Sequence, residues 1–321
     1  EMAIHVVNEA RRCLHCKKPM CREGCPISTN IPEAIELFRT GHKEEAGEML
    51  YENNPLSVIC SLVCDHEKQC EGHCVLGRKG APVHFSSIEN YISDAYLDHL
   101  EPEMEPKKGQ RVAIIGSGPA GITISVLLAR RGYDVTIFES REKIGGVLRY
   151  GIPEFRLPKS ILDRYQKQLI KLGIKIRPNT AIGRTLTVDD LQRDGYEAIF
   201  IGTGVWKPKA MGIPGESLGH VNYAIDYLVD PDVYDLGDNL VVIGAGNSAM
   251  SACSAAATRP PPACVRWTTP RPTAWSSTTA CAPPALPTTA FTTRKWRWTR
   301  KATLPPPARS SSSPAPASSL P

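Results

Sequence analysis

Residues 111–121 read RVAIIGSGPAG, and a helical run to about Arg131 and an apolar strand Val135–Phe138 ending on Glu139 follow at once. This strand–turn–helix–strand order decides the fold. A lone G-x-G-x-x-G is weak evidence, but here a strand precedes it, a helix follows it, and an acid stands 18 residues beyond Gly121. Each position has a physical task. Gly116 permits the tight turn, Gly118 lets backbone approach a pyrophosphate, and Gly121 allows close helix–strand packing. Ser117, Pro119 and Ala120 complete the turn. The helix N-terminus stabilises phosphate charge, and Glu139 suits the hydroxyls of an adenosine ribose.

Downstream, the alternation continues with a helix over about 159–172, a strand near 174–176 and an apolar strand at 198–201. It predicts a doubly wound α/β domain over residues 111–235. Glu139 fits FAD and NAD equally. Gly145-Gly146 offers a second backbone approach to phosphates, which suits FAD. Ile201-Gly202-Thr203-Gly204 reads as the Thr-Gly turn closing an FAD domain. A second fingerprint, Gly244-x-Gly246-Asn247-x-Ala249, follows a strand over 238–243 and opens a nicotinamide-binding domain over 236–250. NADH and NADPH both remain open.

Upstream, residues 1–100 hold two cysteine quartets. The first is Cys13-x2-Cys16-x4-Cys21-x3-Cys25-Pro26, and the second is Cys60-x3-Cys64-x5-Cys70-x3-Cys74. Eight thiols in two groups of four suit two metal centres, and the first group lies close to the ferredoxin run. Zinc is the principal alternative, with His15, His66 and His73 near by, although the second quartet lacks the CxxC pair of a zinc ribbon. Disulfides fit less well, because the chain shows no secretion signal beside its nucleotide-binding signatures. A reducing, cytoplasmic setting is expected. Between the quartets, Asn30-Ile31-Pro32 opens a helix whose Ile31, Ala34, Ile35 and Phe38 form a core stripe. Residues 101–110 read as a charged linker with two prolines.

The net charge of +5 misleads. Residues 251–321 hold nine Lys/Arg and no acid; removing them from totals of 38 and 33 leaves 29 basic against 33 acidic residues, a net −4 for 1–250. The basic excess belongs to the tail, so no nucleic-acid partner follows from it. No apolar run approaches the roughly 18 residues of a membrane span. Past Met250 the chain loses all Gly and gains 14 of its 28 prolines, within what is expected to be a disordered tail. Its abrupt onset inside a nucleotide-binding motif points to a shifted reading frame. The first residue, Glu1, points to a missing start.

Together these motifs resemble the small subunit of glutamate synthase and the N-terminal half of dihydropyrimidine dehydrogenase. Both quartets, CEGHC at 70–74, GSGPAG at 116–121, GIPEFRLPK at 151–159 and GAGNSAM at 244–250 carry the resemblance. It implies a helical domain with two 4Fe–4S clusters, an FAD domain and a nicotinamide domain. One cluster would take Cys13, Cys16, Cys21 and Cys74. The other would take Cys25, Cys64, Cys70 and an oxygen from the position of Glu89, leaving Cys60 a bystander; spacing alone puts Cys60 in that second set. Arg156 would touch the flavin, and Gly146 and Gly204 would line it. The implied reaction passes electrons from NAD(P)H through FAD and both clusters to a large FMN-containing synthase-type subunit or another electron-accepting flavoprotein. No acid–base residue is required, since the cofactors carry the chemistry. Family members have Asp where this chain has Ser251, and their later strands are not legible beyond it. Two rival readings are a fragment that binds clusters without reducing them, and a zinc-stapled interaction module.

Overall fold

The computed structural model describes residues 2–280, except 100, 102, 237, 238, 245, 258–263, 272 and 273. The N-terminal hundred residues are helical: α1 (Met2–Arg11), α2 (Met20–Glu23), α3 (Ile31–Arg39), α4 (Lys43–Asn53), α5 (Ser57–Val63) and α6 (Phe85–His99). Pro32 sits in the first turn of α3, where a missing N–H costs nothing. The expected stripe Ile31, Ala34, Ile35 and Phe38 is buried, packed with Val6 and Ala10 of α1, Leu50 of α4 and Ile88 and Ile92 of α6. Burying each large aliphatic side chain stabilises this layer by about 1.5–3 kcal/mol.

The other half is a four-stranded parallel sheet in the order β3-β2-β1-β4, built from β1 (Arg111–Ile115), β2 (Asp134–Phe138), β3 (Lys175–Arg177) and β4 (Ala198–Ile201). Its crossovers include α7 (Pro119–Arg130), the short α8 (Val147–Tyr150) with α9 (Lys159–Lys171), and α10 (Val188–Arg193). β1 is apolar and buried from Val112 to Ile115 because helices cover both faces.

The two halves share one core. Val58 and Ile59 of α5 and Leu97 of α6 pack in the same cluster as Ile114 of β1, Ile122 of α7 and Leu162 of α9. A polar seam borders it. Arg164 reaches Asp94 at 2.5 Å and Asp98 at 2.9 Å, Gln168 donates to the Leu97 carbonyl at 2.8 Å, and Arg130 pairs with Glu52 at 3.0 Å. The 101–110 segment is fastened too: the Glu105 amide donates to the Arg130 carbonyl and the Lys108 amide to that of Gly132, at 2.7 and 2.9 Å.

Beyond α11 (Ala224–Tyr227), β5 (Asn239–Ile243) leads through the second glycine turn into α12 (Asn247–Ala257). Asp238 of the expected strand lies outside the described residues. Where the composition changes at 250, the structure does not: α12 runs seven residues further, through SACSAAA, because alanine is the best helix former. Next come β6 (Cys264–Arg271), parallel to β5, and β7 (Ala274–Ala280), antiparallel to β6. Pro270 lies past the β5 pairing, which ends at Thr268, and stands opposite Trp275 of β7. These stretches lie within the tail that the composition reads as disordered. Residues 281–321 lie outside the described residues. Among the described residues no helix is long and apolar enough to cross a membrane.

Candidate cofactor sites

The β1–α7 turn lines a groove of about 580 Å³ together with the ends of β2 and β4. That volume lies within the ordinary range of small-molecule and cofactor sites. Gly116 has φ +99°, and a Cβ there would lie 2.5 Å from the Gly202 carbonyl oxygen. A Cβ on Gly121 would lie 1.9 Å from the Gly116 oxygen, so helix and turn touch backbone to backbone. Gly118 meets the opposite condition: nothing lies within 4 Å of its Cβ direction, and it faces the groove. Gly146, at φ +50°, packs on Gly118, where a Cβ would come within 2.8 Å of Cα. Gly204, Pro119 and Ala120 complete the lining.

Glu139 is only 6 % exposed. One carboxylate oxygen accepts from the Ser117 amide at 3.0 Å and from the Ser117 hydroxyl; the other accepts from the Ser140 hydroxyl at 3.1 Å and the Arg141 amide at 2.9 Å. This network fixes the turn before any ligand arrives. The Ser117 oxygens also hold the Gly145 amide at 3.0 and 3.2 Å. Sequence reasoning missed the stack at the groove edge. There the Arg141 guanidinium lies 4.5 Å from the Trp206 ring centre and 4.4 Å from that of Tyr150. No spacing rule connects residues so far apart in the chain.

Arg156 is outside the groove lining. It donates to the Val63 carbonyl at 3.2 Å, at the C-terminus of α5, where a cation is favoured, and so ties the groove domain to the residue before Cys64. Gly244 has φ +126° and turns β5 into α12; Gly246 has open space where a side chain would go. The side chain of Asn247 lies outside the described residues.

The thiols divide differently from the two sequence quartets. Cys13, Cys16, Cys21 and Cys74 line an apolar pocket with Leu14, Met20, Ile35 and Phe85, and Cys70 borders it too. Burial pushes the Cys13 thiol up and that of Cys21 to about 11, and in both cases the Cys74 sulfur adds to the rise. Cys74 therefore stands with the first three thiols. Cys25 stands with the others: its sulfur raises both Glu89 and Cys70. Burial, then Glu71 and Glu89, push Cys70 to about 12. A hydrogen bond to Cys60, burial and the nearby Glu89 raise Cys64.

Glu89 is the informative member. It is 6 % exposed and lies on α6 near Cys25, Cys60 and Cys64; burial first, then the Cys60 and Cys25 sulfurs and Glu71, hold its carboxyl well above the usual range. Among the described residues no hydrogen bond or ion pair holds its carboxylate. A buried carboxylate is costly unless it is paired or coordinates a metal. Cys60, by contrast, already has partners in Cys64 and Asn54, and the Cys64 bond brings it down to about 7. Among the described residues no three His, Cys, Asp or Glu side chains close around a point as ligands of one ion would.

The family described as dihydropyrimidine dehydrogenase domain II, 4Fe–4S cluster, matches residues 2–100. The family described as pyridine nucleotide-disulphide oxidoreductase matches residues 80–189 and 110–260, more than half of the chain. The chain belongs to this oxidoreductase family. Within it, the chain groups with glutamate synthase small chains and dihydropyrimidine dehydrogenase subunits. It is 35% identical over 262 residues to the glutamate synthase [NADPH] small chain of Azospirillum brasilense, covering 75% of this chain and 54% of that one. The Escherichia coli small chain is 35% identical over 259 residues, covering 75% and 55%. The dihydropyrimidine dehydrogenase subunit PreT of Salmonella typhimurium is 34% identical over 256 residues, covering 77% and 61%. The chain thus spans a little over half the length of these curated relatives.

Proposed function

We propose that this protein is the electron-entry and electron-wire portion of an NAD(P)H-dependent flavoprotein of the glutamate synthase small-chain type. The observation that carries the proposal is the buried Glu89 among Cys25, Cys60, Cys64 and Cys70, with Cys13, Cys16, Cys21 and Cys74 gathered at a pocket that Cys70 also borders. Each set would supply four ligands, seven of the eight being thiols. Soft thiolates with one carboxylate oxygen suit iron in a cluster.

The groove fits FAD on its own terms. Gly118 and Gly146 leave backbone bare where a pyrophosphate would approach, and the amino end of α7 faces the same place. Glu139 is anchored through Ser117 and Arg141 and so is presented to a ribose in a fixed orientation. Gly244, Gly246 and Asn247 would hold the nicotinamide cofactor. When bound, the flavin converts a hydride pair into single electrons, and iron–sulfur clusters carry them onward. The protein's own residues bind, orient and exclude water; none needs to move a proton.

Arg156 bridges the groove domain to α5 and would help hold a flavin-binding groove against the thiol-bearing module. The relatives are named as small chains, which supports a larger partner as the acceptor, an FMN-containing synthase-type subunit or another flavoprotein. Cytoplasmic residence agrees with thiols kept reduced. The test is anaerobic purification. Iron and acid-labile sulfide sufficient for two clusters, released yellow flavin and bleaching by NADPH support the proposal. A colourless protein carrying zinc overturns it. Iron without bleaching leaves only the wire.

A further inference from the structure

α4 ends at Asn53 and is capped by Asn54, and each asparagine begins a hydrogen-bond chain into the second thiol set. The Asn53 amide donates to the Thr29 hydroxyl at 3.0 Å, and that hydroxyl lies 3.3 Å from the Cys25 sulfur. The Asn54 amide donates to the Cys60 sulfur at 3.1 Å. Cys60 and Cys64 lie one helical turn apart, joined by the Cys64 amide bonding to the Cys60 carbonyl at 3.0 Å, so their side chains share a face. Asn54 is itself held, since its side-chain oxygen accepts from the Leu56 amide at 3.0 Å. No such chain reaches Cys13, Cys16, Cys21 or Cys74 among the described residues.

Once Cys25 and Cys64 ligate iron as thiolates they can only accept. Thr29 is already accepting from Asn53, which turns its proton toward Cys25. Cys60 is already accepting from Asn54, which turns its S–H toward Cys64.

We infer that Asn53-Thr29 and Asn54-Cys60 form two outer relays that donate to ligand sulfurs of the second cluster and raise its reduction potential above what bare thiolates would give. Thr29 and Cys60 are thus positioning residues, and Cys60 is not a ligand. The sign follows from charge: a donor to sulfur stabilises the more electron-rich state, and hydrogen bonding to sulfur is one of the levers on cluster potential. This inference rests on the two-cluster reading above.

The experiment is a redox titration, followed by electron paramagnetic resonance, of the anaerobically reconstituted full chain and its T29V, C60A and C60S variants. Expected are unchanged iron and sulfide in all four, and for T29V and C60A a reduced fraction of one cluster about tenfold lower at fixed potential, which is ~59 mV for a one-electron couple. C60S, which keeps a donor, should recover most of the shift, and the other cluster should not move. Loss of half the iron in C60A makes Cys60 a ligand and overturns the inference. So does an unmoved potential with both clusters present. A parent chain that takes up no iron sinks the proposed function and this inference with it.

Discussion

Glu139 and Ser117, at the floor of the groove, are buried and hydrogen-bonded within the protein, whereas Glu89 is buried beside half-buried thiols with no hydrogen bond to its carboxyl among the described residues. The first arrangement is stable whether or not a ligand is present. The second favours the neutral forms of its acidic groups, and would release their protons only to something with positive charge between the donors. The difference teaches where each half draws its order. The groove is shaped by backbone that glycine makes available, and the thiol rings are completed by what they bind.

The sharpest way to break this contrast is to withdraw iron. Structural metals supply folding free energy outright, on the order of 10 kcal/mol where measured for zinc. Chelation should therefore loosen α1 to α3, whose core is the N-terminal layer alone, and leave α5 and α6 held by the core they share with the sheet. Amide hydrogen exchange should accelerate most over residues 2–39 and least over β1 and β2. Equal acceleration everywhere would erase the distinction.

Metal-free protein should also acquire a slope with pH. Cys21 is raised to about 11 and Cys70 to about 12 from an ordinary 9.0, in each case chiefly by burial. The fold thus favours their neutral thiols. Their contribution is whole below pH 9 and is lost as pH climbs toward 11 and 12. Iron-loaded thiolates carry no proton, so urea midpoints of loaded protein should lack that fall.

Within the groove the same motif offers a finer test. Gly116→Ala forces a side chain onto a φ of +99° and into the Gly202 carbonyl, and should cost about 3 kcal/mol. Gly118→Ala meets no protein atom and should leave stability within about 0.5 kcal/mol. Its methyl group points into the groove, so flavin retention should fall while urea unfolding stays put. If Gly118→Ala unfolds the protein and keeps flavin, the roles given to the two glycines are reversed.

How much of this was legible depended on whether the signal was local. The turn at 116–121, its flanking strands and Glu139 lie within one supersecondary unit, and their sequence spacing is their structure. The partition of the thiols is not local. Cys74 lies near Cys13 and Cys21, and Cys25 lies near Cys70 and Glu89, proximities that spacing alone does not give. Glu89 carries no motif whatever; only a family resemblance pointed to it, and only its burial without a partner explains why it matters. The core joining α5 and α6 to the sheet was equally hidden, because Val58, Ile59 and Leu97 read as ordinary apolar residues in either half. Past 250, composition outweighed local propensity, and the continuation of α12 went unread.

The smallest test lies farthest from both sites. Thr187 caps α10 with a reciprocal pair: its hydroxyl oxygen accepts from the Asp190 amide at 3.2 Å, and the Asp190 carboxylate accepts from the Thr187 amide at 2.8 Å. The cap holds Leu191 in a small cluster with Tyr196, Ala113, Ile115 and Phe138 beside the sheet. Thr187→Ala should lower stability by about 1 kcal/mol, read as a shifted urea midpoint at unchanged slope. Ile115 and Phe138 also line the groove, so a loosened α10 could reach the flavin through them. Because Glu139 and Ser117 hold the turn through their own hydrogen bonds, flavin and iron contents should nevertheless stay at parent levels. A drop in flavin from so distant a cap would mean that the groove, too, is only finished by its neighbours.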